Sequence, residues 1–97
     1  MIQLPLFPAD APRFEILTHP HVAFDGLSPI VEGTRILVRR LWWMHQRGEP
    51  VAEIAERYRR VPLAAILSAL AFAYDNRALI EWDEARASAA AAEAPPR

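Results

Sequence analysis

The spacing of apolar residues changes at Val38, and this change limits the fold more than any other feature of the sequence. From Val38 onward, apolar residues recur at helical spacing in three runs. The runs consist of Val38, Leu41, Trp42 and His45; of Val51, Ile54, Ala55 and Tyr58; and of Leu63, Ile66, Leu67, Leu70 and Tyr74. Gly48 stands where the first helix should end, and Pro50 and Pro62 stand at the start of the next two. The pattern predicts three helices of about 10, 9 and 15 residues, packed as one tri-helical unit.

The residues before Val38 favour extended structure. Pro5, Pro8 and Pro12 exclude a helix, so residues 1–13 are predicted to form an extended N-terminal arm. Residues 14–17 have the composition of a short strand.

Two further runs in this region, residues 29–31 and 34–38, are separated by Glu32 and Gly33. They predict a short β-hairpin in which Gly33 is the structural turn residue and has a positive φ.

The C-terminal part of the chain has weaker signals. Residues 79–82 suggest a short extended segment, and residues 85–97 are rich in alanine and lack a large apolar side chain. We therefore expect a mainly α, single domain over residues 14–84, with helix-turn-helix dimensions, followed by a disordered Ala-rich tail over residues 85–97.

Composition excludes several classes of protein. The chain has no cysteine, which excludes a disulfide scaffold, a cysteine-based zinc module and a thiol nucleophile. The longest apolar stretch, Leu63 to Tyr74, is shorter than the roughly 20 residues of a membrane span. No basic residue precedes Arg13, which argues against a secretory signal. We expect a cytoplasmic protein without a membrane segment.

No residue pattern indicates catalysis. His19, His21, Asp25 and His45 are the only metal-like set, and their spacing does not supply a third ligand. No serine or threonine has a paired histidine and acid, and three glycines cannot form a phosphate-binding loop. We expect no enzyme, no metal, no cofactor and no small-molecule substrate.

Positive charge is concentrated in the middle of the chain. The net charge is −1, yet residues 35–60 contain seven arginines and only three acidic residues. The candidate DNA-binding residues are Arg35, Arg39, Arg57, Arg59 and Arg60. Arg57, Arg59 and Arg60 surround the turn before the third helix, where helix-turn-helix proteins contact phosphates. Arg39, Trp43 and Arg47 share a helix face, which is either a phosphate and stacking surface or a solvated face whose arginines cover Trp43.

The third helix has few side chains that could read a base. Beside its predicted core stripe it has a second stripe of small and apolar residues, formed by Ala65, Ala69, Phe72 and Ala73. A helix that is apolar on two faces is buried on two faces. We predict that this second stripe forms the interface of a homodimer; the alternative is a deeper local core formed with the N-terminal arm.

Residues 29–36 carry a Pro-x-x-x-Gly-Thr-Arg-Ile element, which is followed by the three helical runs. This arrangement over about residues 16–76 resembles the bacterial family called domain of unknown function 433. The resemblance implies a homeodomain-like helix-turn-helix fold and an antitoxin of a type II toxin–antitoxin system, paired with a PIN-like ribonuclease toxin. The sequence departs from the family at Leu27, at Pro50 and in the turn at residues 58–63.

Two functional hypotheses follow. The first is a dimeric, non-enzymatic antitoxin and autorepressor that binds its operator DNA through the Arg-rich middle and its toxin through an apolar arm or tail. The second is a dimeric protein-interaction module without DNA binding. The family resemblance and the basic segment favour the first, whereas the third helix and the net charge of −1 favour the second.

Overall fold

The computed structural model describes residues 3–93 and has a mainly α architecture. A two-stranded antiparallel sheet precedes four helices. The elements are β1 (Val22–Asp25), β2 (Ser28–Val31), α1 (Val38–Gln46), α2 (Val51–Arg57), α3 (Leu63–Asp75) and α4 (Arg77–Glu93). The predicted fold class, a mainly α domain with an N-terminal hairpin, is therefore confirmed.

The hairpin is displaced toward the N-terminus from its predicted position. Strand β2 contains Pro29 to Val31, as expected, but its partner is β1, with Asp25 opposite Ser28 and a tight turn at Gly26. The predicted second strand, residues 34–38, makes only one isolated bridge, between Ile30 and Leu37. Helix α1 already begins at Val38, which leaves too few residues for a strand. Gly33 nevertheless has a φ of 78°, the positive value expected of it.

The first three helices begin and end close to the predicted positions. Gly48 follows α1 with a φ of 87°, and Pro50 and Pro62 immediately precede α2 and α3. Proline is favoured there because its missing N–H would have no partner in the first turn.

Helix α4 contradicts the prediction for the C-terminal part of the chain. Residues 79–82 are helical rather than extended, and the helix continues through most of the predicted disordered tail, to Glu93. Leu79 and Ile80 are fully buried and fix its first turns, and the alanines that follow have the highest helix propensity. The last four residues of the predicted tail lie outside the described part of the chain.

The predicted dimer-interface residues are in the core of their own chain. Ala65 is 2% exposed and Ala69, Phe72 and Ala73 are 0% exposed, so this stripe offers no surface to a second copy. Helix α3 instead turns this stripe toward the sheet and the N-terminal segment, and the ring of Phe72 lies edge-on to that of Phe24. This arrangement corresponds to the local-core alternative.

The N-terminal segment, residues 3–21, forms neither helix nor strand, including the predicted strand at residues 14–17. It is held against the helices by side chains. Phe7 and Phe14 pack on Trp82 of α4, each with its ring centroid 5.5 Å from that of the tryptophan.

The carboxamide of Asn76, between α3 and α4, acts as a strand partner for this segment. It accepts a hydrogen bond from the backbone N–H of Leu17 at 2.8 Å and donates one to the carbonyl oxygen of Leu17 at 2.9 Å.

Within residues 3–93 no single helix is long and apolar enough to cross a membrane. Only α3 and α4 taken together reach the required length and composition, and they are bent by 96° relative to each other.

Candidate functional site

The arginines around the α2–α3 turn converge on a shallow groove. Its volume is about 430 Å³, and it lies between this turn and the loop that follows β2. The groove is lined by Thr34, Ile36, Arg57, Tyr58, Arg59, Arg60 and Val61. The structure thus brings together three of the five predicted DNA-binding residues, and a fourth, Arg35, is exposed on the loop that forms the opposite wall.

Local hydrogen bonds fix both walls of the groove. Thr34 Oγ1 donates to the carbonyl oxygen of Val31 at 2.7 Å and accepts from the backbone N–H of Ile36 at 3.0 Å. On the other wall, the N–H of Val61 donates to the carbonyl oxygen of Tyr58 at 2.8 Å, which closes the turn after α2. The arginines are therefore presented from backbone that is itself well defined.

Two of the groove arginines have acidic neighbours. A guanidinium nitrogen of Arg57 lies 2.7 Å from a carboxylate oxygen of Glu49, and Arg59 lies 3.9 Å from Glu56 in an exposed pair. Arg35 and Arg60 form no ion pair with another described residue. The groove therefore retains positive charge, and exposed ion pairs such as the one at Arg59 are weak enough to be exchanged for an anion.

Arg39, the fifth predicted DNA-binding residue, does not belong to this groove. Its guanidinium donates a 2.8 Å hydrogen bond to Asp83 Oδ2, and Asp83 is fully buried. The other oxygen of Asp83 accepts from Ser28 Oγ at 2.7 Å and from Arg86 at 3.0 Å. Arg39 thus joins α1 to α4 and β2 and is not available to bind phosphate, which corrects its predicted role.

Sequence reasoning did not identify Asp83 as a core residue. Its spacing contained the signal, because in a helix Asp83 follows Leu79 and Ile80 by four and three residues and shares their buried face. The prediction that residues 79–82 were extended concealed this relation.

The α1 surface beyond Arg39 fits the solvated alternative. The guanidinium of Arg47 lies 4.3 Å from the ring centroid of Trp43, which remains 48% exposed. Arg47 thus covers one aromatic side chain of its own helix, and the i, i+4, i+8 row does not form a continuous phosphate-binding surface, because Arg39 is directed to Asp83.

The outward face of α3 is apolar. Leu63 is 51%, Leu67 47% and Tyr74 56% exposed, although the sequence pattern placed all three in the core. None of these side chains can make the paired hydrogen bonds by which proteins distinguish bases in the major groove.

The histidines do not form a metal site. His19 Nε2 lies 2.7 Å from Asp75 Oδ2, and His45 Nε2 contacts the hydroxyl of Tyr74. Among residues 3–93, no three metal-ligating side chains converge.

Comparison with known proteins identifies one family. The model of the family described as "Protein of unknown function (DUF433)" matches residues 26–73, about half of the chain. The matched residues contain β2, α1, α2, most of α3 and both walls of the groove. No curated protein and no solved structure matches the chain.

Proposed function

This chain belongs to the DUF433 family, and we propose that it is a non-enzymatic, antitoxin-type protein of the bacterial cytoplasm that binds its own operator DNA and a PIN-like ribonuclease toxin. The observation that carries the DNA part of the proposal is the groove at which Arg57, Arg59 and Arg60 meet the loop containing Arg35. In this proposal α2 and α3 act as the helix-turn-helix pair, and the arginines bind the phosphates beside the groove of the DNA.

In this proposal the protein contacts the phosphate backbone of the DNA and not the edges of its bases. The large exposed side chains of α3, Leu63, Leu67 and Tyr74, cannot make paired hydrogen bonds to bases, so we propose that the binding free energy comes mainly from phosphate neutralisation and counterion release. We therefore expect affinity to depend steeply on salt and weakly on sequence.

The toxin contact is proposed for the N-terminal segment. Leu4, Leu6 and Leu17 are 47%, 97% and 57% exposed there. We propose that a protein partner covers these side chains.

A salt titration of DNA binding tests the DNA part of the proposal. The probe is a duplex from the region upstream of the protein's own gene, compared with an unrelated duplex of equal length. Replacing Arg59 and Arg60 by Ala should weaken binding to both duplexes alike. It should also flatten the slope of log affinity against log salt by about one unit for each phosphate that the variant no longer neutralises.

The matched control is Arg13→Ala, which removes an exposed arginine outside the groove, and it should leave the slope unchanged. Ser68→Ala, on α3, should also leave binding unchanged, because the hydroxyl of Ser68 is directed to the carbonyl oxygen of Pro20. No binding at low salt would contradict the DNA part of the proposal.

The second candidate function is a dimeric protein-interaction module without DNA binding. The apolar outward face of α3, together with the net charge of −1, favours it. Absence of DNA binding at low salt, combined with sedimentation of the protein as a dimer, would select this candidate.

A further inference from the structure

One face of the helical core is covered by the chain's own N-terminal segment. The rings of Phe7 and Phe14 pack edge to face with their centroids 5.2 Å apart, and both rest on Trp82 of α4. Phe7 also approaches Phe24 of β1, with 6.5 Å between the ring centroids. The segment is thus seated in an aromatic groove, the segment groove, which is formed by Phe24, Asn76 and Trp82.

Polar side chains at the other end of the segment groove bind the backbone of the segment. The carboxamide of Asn76 holds both the N–H and the carbonyl oxygen of Leu17, and Ser68 Oγ donates to the carbonyl oxygen of Pro20. Contacts to the backbone accept an extended peptide of almost any sequence, whereas side-chain contacts select among such peptides. The groove therefore fits an extended peptide that places aromatic side chains on Trp82.

The segment occupies the groove without being part of the core. None of residues 3–21 is buried, whereas Val22, the first residue of β1, is 2% exposed. His21 joins the two and has a φ of 66°, a left-handed value that is uncommon and costly for a residue other than glycine. Incomplete burial and a strained connection favour local opening of the segment while the helices stay folded.

We propose that the segment groove binds an extended peptide of another protein, with two aromatic side chains that pack on Trp82, and that the N-terminal segment is an internal competitor that keeps this site closed. A tethered segment meets the groove at an effective concentration in the millimolar range. A second copy offers the same segment at a lower concentration and does not displace it. A peptide that does so must fit the groove better, and the incomplete burial of the segment leaves room for a better fit.

The proposal goes beyond the proposed function and is independent of it. The segment groove shares no residue with the arginine groove. The leucines that we assign to the toxin contact are about half exposed or more, so they are not filling the segment groove.

Binding of a fluorescent peptide to the full-length chain tests the proposal, with the chain's own residues 3–21 as the probe. The wild type should bind this peptide weakly, because its groove is occupied. Phe7→Ala combined with Phe14→Ala in the chain should tighten binding about 30-fold or more, since each half-buried ring contributes roughly tenfold to docking of the tethered segment. Fluorescence anisotropy measures the dissociation constants, and circular dichroism establishes that each variant is folded.

The same two substitutions in the peptide should weaken its binding to the opened chain. Leu17→Pro is a second opening variant, because it removes the N–H that Asn76 accepts and lies outside every helix and strand. It should tighten binding about 3–10-fold when placed in the chain and weaken binding when placed in the peptide. Leu6→Ala is the matched control, since Leu6 is 97% exposed in the same segment, and it should change neither affinity.

Opposite effects of one substitution in the chain and in the peptide are expected only if the two compete for one groove. The proposal is overturned if the opened chain binds the peptide no more tightly than the wild type does. It is also overturned if the peptide keeps its affinity when both phenylalanines are replaced. A wild-type dimer in sedimentation that Phe7→Ala combined with Phe14→Ala abolishes would overturn the assignment to another protein, because the segment of a second copy would then fill the groove.

Discussion

Removing the carboxylate of Asp83 should destabilise the fold more than removing Arg86, one of the two arginines that bind it. Asp83 is 0% exposed and accepts hydrogen bonds from Ser28, Arg39 and Arg86. Asp83→Ala leaves Arg39, whose side chain is 21% exposed, without its buried acceptor.

Removing one partner of a buried ion pair lowers the free energy of unfolding by about 3–5 kcal/mol. Arg39 and Arg86 are 21% and 41% exposed and can regain part of their hydration in Asp83→Ala. We therefore expect this variant to lose about 3 kcal/mol of its free energy of unfolding, the lower end of that range. A typical domain has a free energy of unfolding of about 5–15 kcal/mol, so this is a large fraction of the total. Arg86→Ala should cost only about 1 kcal/mol, because Asp83 keeps two of its three hydrogen bonds.

Urea unfolding of the wild type, Asp83→Ala and Arg86→Ala, followed by circular dichroism, measures these differences in the free energy of unfolding. The comparison requires that the three proteins unfold with the same m-value. In thermal unfolding, Asp83→Ala should lower Tm by about 12–24 °C. Equal losses for Asp83→Ala and Arg86→Ala would refute the view that the buried carboxylate is the centre of the network. A loss below about 1 kcal/mol for Asp83→Ala would refute it as well.

Two further changes test features of the N-terminal half. Gly33→Ala should cost about 1 kcal/mol in urea unfolding, because Gly33 has a φ of 78° and a Cβ there would meet no atom within 4 Å, so only backbone strain contributes; an unchanged midpoint would contradict this. Asn76→Ala should cost about 1–3 kcal/mol, because it leaves both backbone groups of Leu17 without their partner, and it should speed proteolytic cleavage within residues 3–21. Cleavage at the wild-type rate would show that the aromatic contacts alone hold this segment.

Helices α1 to α3 were predictable because each combines an apolar period of 3.6 residues with glycine or proline at its ends. Helix α4 was not, because its apolar anchors, Leu79 and Ile80, are adjacent and resemble a strand, and the alanines after them have no period. Alanine favours a helix by propensity alone, without an apolar stripe.

The orientation of α3 could not be read from its sequence. The helix has two apolar faces, and periodicity does not say which one points inward. The larger side chains suggested that Leu63, Leu67 and Tyr74 form the core, yet the small alanines and Phe72 face it. Small side chains on the inward face of α3 allow the sheet and α1 to approach this helix closely. This requirement arises only when the elements are packed together, so the sequence of α3 alone does not show it.

The candidate groove was predictable in part. Arg57, Arg59 and Arg60 are close in sequence and stay close in space, so the sequence alone grouped them. The loop containing Thr34 and Ile36, which forms the opposite wall, is separated from them by two helices and could not be placed without the fold. Arg39 was misassigned because its partner, Asp83, is 44 residues away.

The hydrogen bonds between Asn76 and Leu17 also affect when the N-terminal segment can dock during synthesis of the chain. The two residues are 59 positions apart, and Trp82 lies still farther from Phe7 and Phe14. Contacts of such long sequence separation form late, because they require the closure of a long loop. During synthesis the N-terminal segment leaves the ribosome before Asn76 and Trp82, which hold it. The order of synthesis therefore leaves Phe7 and Phe14 without Trp82, and open to chaperones and other proteins, until α4 has been made.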